Sequence, residues 1–381
     1  MIRKPKLLLV ANLAKEHVLK FHVPTIKMLA ENGWTVDVAC AGGEVVPYCH
    51  KQYHMSYKRS PFSLKTFKGI KELTHIINQE DYDIVYCHTP VGGVVARIAA
   101  RKARKKDCKV IYFAHGYHFY KGAPLKNWLV FYPVEKILSK ITDSIILINK
   151  EDYNLTKKKF KNCRAYILNG MGVDFKRFKV EEADSVRSAY RRDMNIPNNA
   201  VVLIYLAELI KNKNQFFLLE VLKELLKTND NIYVVLAGID HSNGKVLQYA
   251  EKLGVSEHVR FLGWRDDIAD LYAMSDICTA TSIREGFGLN LVEAMVCGVP
   301  VVASKNRGHE TIIKNGKNGF LVPQGDRELF VKRIQQLISD KEMRNKLIQN
   351  GLMMKEKYSG DIILNNIKNI LEEHLEKHVE N

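Results

Sequence analysis

The stretch Ser282-Ile-Arg-Glu285-Gly286-Phe287-Gly288-Leu289-Asn-Leu-Val-Glu293-Ala-Met-Val-Cys-Gly298-Val-Pro300-Val-Val-Ala-Ser304 reads as turn, helix and strand. A short β-rich run, Ile277–Thr279, ends just before it, two glycines bracket the turn, and Val301–Ala303 follows the helix. Strand, turn, helix, strand is the repeating unit of a parallel sheet. Backbone N–H groups at such a helix start are unpaired and carry the positive end of the helix dipole, so they suit a diphosphate. Glu285 precedes the helix and Glu293 lies two turns inside it, so both can lean toward one ligand and accept hydrogen bonds from sugar or ribose hydroxyls. The plainer alternative is a Glu285 that caps the helix and a Glu293 that is solvated.

The same unit recurs outward in both directions. On the N-terminal side, apolar runs at Leu7–Ala11, Val36–Ala41, Ile84–Cys87, Val110–Ala114, Ile145–Ile148 and Tyr166–Leu168 alternate with helical stretches. A turn-rich stretch from Asn169 and a charged segment, Glu181 to Met194, lead to Ile196-Pro-Asn-Asn199, a natural linker. Then come Val201–Leu206, Ile232–Ala237, Val259–Leu262, the two runs already quoted, and Phe320–Val322. Two βα series in 381 residues predict two doubly wound α/β domains, 1–180 and 181–357. The carboxyl edges of their sheets are expected to face a central cleft. Apolar residues at helical spacing in 358–381 predict a final helix that packs back and can complete the first domain.

The net charge of +16 is unevenly spread. Residues 1–180 carry 32 Lys+Arg against 14 Asp+Glu, so the whole excess lies in the first half and the second half is slightly acidic. An anionic partner of the first domain is implied: nucleic acid, an anionic lipid surface or a phosphorylated acceptor. No helix-turn-helix, zinc-finger or RNP pattern supports nucleic acid. The basic runs Arg97-Ile-Ala-Ala-Arg101-Lys102-Ala-Arg104-Lys105-Lys106 and Lys157-Lys158-Lys159-Phe-Lys161 are either solvated helix faces or lipid contacts. The aromatic-basic stretch Pro124–Pro133, with Trp128 expected to insert, favours an interfacial contact. No apolar run is long enough to span a bilayer. Seven scattered cysteines without a C-x-x-C pair read as reduced thiols, so a cytoplasmic location at the inner face of the membrane is expected.

The quoted stretch resembles the E-x(7)-E signature of retaining glycosyltransferases of the GT-B fold. The resemblance continues through Gly298-Val-Pro-Val-Val-Ala303, Arg307-Gly308, Asn315-Gly-Lys-Asn-Gly319-Phe-Leu-Val-Pro323 and Arg265-Asp-Asp-Ile-Ala-Asp-Leu271. It implies that Glu285 contacts the transferred sugar, Glu293 the ribose diol, and the amides of Gly286, Phe287, Gly288 and Leu289 the sugar and diphosphate. After the first strand of the second domain the family has Gly-Arg-Leu and then a Lys. Here Ala207-Glu208-Leu209-Ile-Lys211-Asn-Lys213 keeps the Lys as Lys213 but replaces the Arg with Glu208, which cannot clamp an anion. Glu208 is left to a sugar hydroxyl or to an ion pair with Lys211 or Lys213.

In the first domain, Ala114-His115-Gly116-Tyr117-His118 looks like the family's strand-end His-Gly, whose His sits against the donor sugar. This loop, with Phe21-His22-Val-Pro24 and Ile148-Asn149-Lys-Glu151-Asp152, most resembles bacterial capsule and exopolysaccharide transferases that act on polyprenyl-diphosphate-linked sugars. The catalytic candidates are His115, Lys213 and Glu285; His17, His22, Tyr117 and His118 are candidates for the acceptor side. Donor and acceptor are thus expected to be a nucleotide-sugar, UDP-linked, and a lipid-linked or other glycan. No cofactor or metal is expected: Asp81-Tyr-Asp83 mimics a D-x-D motif but reads as a surface pair before a strand, and no ligand cluster has metal spacing. A nucleotide-sugar epimerase or hydrolase on a similar fold is the alternative.

Overall fold

The computed structural model describes residues 3–56 and 64–376, arranged as two compact units. One comprises residues 1–172 with 361–381, the other Val173–Gly360. Residues 377–381 of the expected final segment lie outside the described residues.

The first unit is built on a parallel sheet of Lys6–Leu13 (β1), Thr35–Ala41 (β2), Lys51–His54 (β3), Ile84–His88 (β4), Lys109–Ala114 (β5), Ser144–Leu147 (β6) and Arg164–Ile167 (β7), in the order β3-β2-β1-β4-β5-β6-β7. All pairings are parallel. The central strands are buried on both faces, which is why they read as continuous apolar runs. β3 was not expected. It is an edge strand of sequence Lys-Gln-Tyr-His with exposed ends and no apolar alternation, so the chain carries no local signal for it.

The second unit holds Val201–Leu206 (β8), Ile232–Ala237 (β9), Val259–Phe261 (β10), Ile277–Ala280 (β11), Val301–Ser304 (β12) and Phe320–Val322 (β13), in the order β10-β9-β8-β11-β12-β13. These again pair in parallel. Each sheet reverses its winding once, between β1 and β4 and between β8 and β11. Outside the carboxyl ends of strands at such a switch point, neighbouring loops diverge and leave room for a ligand.

The unit boundary falls at Gly172/Val173, where the sequence suggested 180/181. Val173 bridges to Ser359, and its N–H donates to the Tyr358 carbonyl at 2.9 Å, which ties this segment to the second unit. The charged segment that leads to the expected linker is mostly a helix, Ala183–Asp193, whose Arg191 is fully buried. Arg191 donates to the carbonyls of Met274, Asn198 and Ala200 and to the Asp276 carboxylate. The closing helix, Gly360–Glu376, packs on the first unit through buried Ile363, Ile367, Ile370 and Leu371. His374 Nε2 lies 2.6 Å from Ser144 Oγ on β6, and Lys368 reaches Asn32 at 2.6 Å.

Two residues of the basic run 97–106 are held by carboxylates of the fold. Arg97 is buried, forks onto Glu135 at 2.7 and 3.0 Å and stacks on Tyr112 at 4.1 Å. Arg104 pairs with Asp143 at 2.8 Å. The glycines Gly92 and Gly93 have a packing reason: a Cβ on Gly93 would stand 2.5 Å from the Tyr112 ring. Asp81 and Asp83 are salt-bridged to Arg3 at the amino edge of the first sheet.

Candidate active site

At the switch point of the second sheet, the loop after β8 meets the loop after β11. Lys211–Lys213 forms one tight turn, and Asn214 then adopts φ 55°, which starts the helix Gln215–Leu226. The Lys213 carbonyl accepts from Tyr205 Oη on β8 and from Thr281 Oγ1 just past β11, both at 3.0 Å. So fixed, Lys213 Nζ lies 2.5 Å from Glu285 Oε1, and Ser282 Oγ donates to the same oxygen at 2.6 Å. Burial pushes the Glu285 carboxyl upward, but the Lys213 ammonium, with hydrogen bonds from Lys213 and Ser282, outweighs it, and the pKa falls below the ordinary carboxylate value. The site therefore holds an ionised carboxylate and a cation side by side, each oriented before any ligand arrives.

Gly288, at φ 105°, reverses the chain into the helix Leu289–Val296, the geometry that only glycine adopts without strain. Phe287 is buried and sets its edge against Tyr358, so this residue offers a ligand its backbone alone. Gly286 and Leu289 are half-buried. Glu293 sits within the helix, where burial raises its pKa to about 7, opposed by Arg177. Lys213 pairs with Glu285 and not with Glu208, which is exposed.

Residues that the motif reading missed complete the surroundings. Asn306 Nδ2 donates to the Ser282 carbonyl at 3.0 Å, while its Oδ1 accepts from the His309 N–H at 3.0 Å. His309 Nδ1 is 2.7 Å from the Ser304 carbonyl, which can only accept, so Nδ1 carries the proton. Its Nε2 is buried without a partner among the described residues, beside Gly288, where a Cβ would stand 3.0 Å from the ring. Gly308 must be glycine for a similar reason: a Cβ there would meet Glu285 Cβ at 2.7 Å. Arg307-Gly308 was legible as a motif, but the adjoining His309 and the direction of its ring were not.

The switch point of the first sheet gathers histidines. His17 and His22 lie on a π-helical segment, Ala14–His22, that follows β1; His88 ends β4; His115 follows β5. An α-helix would set residues five apart about 140° around its axis, whereas i→i+5 winding stacks them. The His17 and His22 rings accordingly lie 5.0 Å apart, with Nδ1 and Nε2 3.1 Å from one another. His115 packs 4.9 Å from His17, and His88 3.8 Å from His22. Burial lowers all four, His17 to about 4 and His115 to about 3, so the rings are neutral near pH 7. Both ring nitrogens of His88 and Nε2 of His115 have no hydrogen-bond partner among the described residues. Leaving such a group unsatisfied costs about 1–3 kcal/mol.

His17, His22 and His115 are thus brought together; Tyr117 and His118 are not. Tyr117 is buried in the core against Phe119, its hydroxyl 2.8 Å from Thr156 Oγ1, so it is no acceptor contact. His118 stacks on Phe131 at 4.7 Å. In both, the local sequence of a glycine-bounded aromatic loop does not reveal which side chains turn inward.

Comparison with known proteins agrees with this architecture. Residues 186–353 match the family described as glycosyl transferases group 1, and residues 6–149 match that described as glycosyl transferase 4-like. The putative glycosyltransferase EpsD of Bacillus subtilis (strain 168) is 42% identical over 337 residues, covering 88% of each chain. The UDP-Gal:alpha-D-GlcNAc-diphosphoundecaprenol alpha-1,3-galactosyltransferase of Escherichia coli is 26% identical over 77% of each chain. Among solved structures, Anabaena HepE in complex with UDP and glucose superposes with a TM-score of 0.80 at 21% identity, covering 97% of this chain and 100% of that one. The two parallel sheets, their switch-point loops and these matches establish that the chain belongs to the group 1 glycosyl transferases and is a glycosyltransferase of GT-B fold.

Proposed function

We propose that the enzyme transfers a sugar, with retention and without a metal, from a UDP-sugar to a polyprenyl-diphosphate-linked glycan in surface-polysaccharide synthesis. The observation that carries the reading is the Lys213–Glu285 pair beside the left-handed turn at Gly288 that opens the helix Leu289–Val296. In the proposed complex Lys213 and the amides at Gly288–Leu289 hold the diphosphate, Glu285 meets the transferred sugar, and Glu293 takes the ribose diol. His115 is the proposed sugar contact of the first unit, and His17 and His22 belong to the acceptor side. Breaking the anomeric bond loads charge onto the departing diphosphate, and fixed donors aimed at that charge lower the barrier. The leaving phosphate, held on the acceptor's side of the sugar, also takes the acceptor proton, which gives retention by a front-face displacement. HepE was crystallised with UDP, and the E. coli relative's name specifies an undecaprenyl-diphosphate acceptor; both support the choice of substrates.

The test is to incubate the purified enzyme with a panel of labelled UDP-sugars, with and without a sugar-diphosphoundecaprenol acceptor. Label entering the lipid, with the donor's anomeric configuration, is expected. Donor consumption unaffected by the acceptor would favour the epimerase or hydrolase alternative. Because Lys213 and the helix amides supply the positive charge, transfer is expected to persist in excess EDTA. Loss of activity in EDTA, restored by magnesium or manganese, would overturn the metal-free mechanism.

A cytoplasmic location on the inner membrane face is part of the same proposal, and the helix Leu125–Leu138 supports it. Trp128, expected to insert, instead turns inward against Phe119 and donates to the Tyr120 carbonyl. The residues presented to solvent are Leu125, Leu129 and Ile137, at 74%, 67% and 64% exposure, spaced along one face with Val130 and Val134 beside them. Lys126, Lys136 and Lys140 are exposed on and next to this helix. Such a surface binds anionic bilayers through inserted apolar side chains and about 1 kcal/mol per nearby lysine. The protein is expected to sediment with anionic liposomes, partly detach at high salt and leave neutral ones largely unbound. Leu129→Glu with Ile137→Glu should release it while sparing hydrolysis of a soluble donor. Undiminished binding by that double variant would remove the helix from the membrane contact.

A further inference from the structure

The four-histidine cluster exceeds what sugar recognition needs. One imidazole suffices for the proposed sugar contact, yet the candidate ligand nitrogens of His17, His22 and His115 all lie within 4.8 Å of one another, and His88 backs onto His22. We propose that His17, His22 and His115 form a binding site for a late first-row divalent cation, with Zn²⁺ as its natural occupant. This goes beyond the transfer reaction and stands independently of it.

Three observations carry the proposal. The first is spacing: two nitrogens bound tetrahedrally to one Zn²⁺ lie about 3.3 Å apart. His17 Nδ1 and His22 Nε2, hydrogen-bonded at 3.1 Å, already have this spacing, set by the π-helical winding of Ala14–His22; a cation takes the place of the proton between them, which moves to the other nitrogen of its ring. The third nitrogen need close no more than about 1.5 Å to join them, within reach of a ring rotation. The second is orphaned polarity. The buried His115 Nε2 and both nitrogens of the fully buried His88 lack partners among the described residues, where a structural core histidine would have found a carbonyl or hydroxyl. A cation and its bound water give these groups something to bind. The third is chemical type: three neutral imidazoles with no carboxylate among them suit Zn²⁺, Co²⁺, Ni²⁺ or Cu²⁺ and are poor ligands for Mg²⁺ or Ca²⁺. The remaining coordination position falls to water.

The consequence is inhibitory. A cation held by His115 occupies the imidazole proposed to contact the sugar, so Zn²⁺ and transfer should compete. This is compatible with activity in EDTA, which would relieve the inhibition.

Co²⁺ titrated into the full-length protein reports the site directly, because tetrahedral Co²⁺ absorbs intensely in the visible and octahedral Co²⁺ does not. The wild type is expected to give one such band per chain, displaced by Zn²⁺, with Zn²⁺ also raising the thermal midpoint. His17→Gln and His115→Gln should each weaken Co²⁺ binding at least tenfold, whereas His118→Gln should leave it unchanged. Circular dichroism confirms that each variant folds. Absence of the tetrahedral band in folded wild type, or its survival in the His17→Gln, His115→Gln double variant, overturns the proposal. Neither reading depends on transfer activity, so failure of the metal site and failure of the transfer assignment are told apart.

Discussion

Lys213→Ala is expected to lower turnover about a hundredfold, the range found when one fixed donor to a developing anion is removed. The effect has two sources, because Lys213 holds Glu285 at 2.5 Å while it is proposed to bind the diphosphate. Without the ammonium, burial acts on Glu285 with only the Ser282 hydroxyl and the nearby His309 against it, so its pKa rises. The acid limb of the pH–rate profile should therefore move upward in Lys213→Ala, in addition to the fall in its plateau. A double-mutant cycle separates the two roles. If Lys213 only keeps Glu285 ionised, removing it from a Glu285→Gln background costs nothing further. If it also clamps phosphate, UDP affinity falls in that background too, and this is the expected result. Wild-type turnover in folded Lys213→Ala would remove the residue from the reaction altogether.

The parts of this site differ in how they could be read from the chain. Strands buried on both faces announce themselves as apolar runs, and the Glu285–Glu293 stretch carries its turn glycines and helix start in order, so both sheets and the candidate donor loop were legible. Ser282, Asn306 and His309 were not, because their roles lie in contacts across the loops that follow β11 and β12. Edge strand β3 lacked apolar alternation, and the π-helical winding after β1 has no sequence pattern comparable to the 3.6-residue period. The direction of a side chain was the commonest loss. Tyr117, Trp128 and Arg97 each turn inward onto a partner: Tyr117 and Arg97 onto Thr156 and Glu135 from distant parts of the chain, and Trp128 onto the Tyr120 carbonyl eight residues before it. Polar groups with such partners can be buried, and the partner is invisible to local reading.

Glu293→Gln is expected to stabilise the ligand-free protein and weaken UDP binding. In the folded state burial lifts the carboxyl to about 7, against an ordinary value near 4.5. Between those values the native protein holds a proton that the unfolded chain has lost, so stability falls as pH rises through this interval and the full penalty is present above pH 7. The difference corresponds to about 3 kcal/mol. Gln keeps the shape without the charge, so at pH 8 the variant's thermal midpoint should exceed the wild type's by several degrees, and at pH 4 the two should converge. Binding carries the opposite sign. Ribose hydroxyls donate to an ionised carboxylate, and hydrogen bonds to the charged form lower its pKa, so UDP should drive a proton off Glu293 near pH 7. Calorimetry in two buffers of different ionisation enthalpy would reveal that release in the wild type and its absence in Glu293→Gln, alongside about tenfold weaker affinity. Unchanged UDP affinity and no proton release would exclude Glu293 from the ribose contact even if the stability difference appeared, because that difference arises from burial alone.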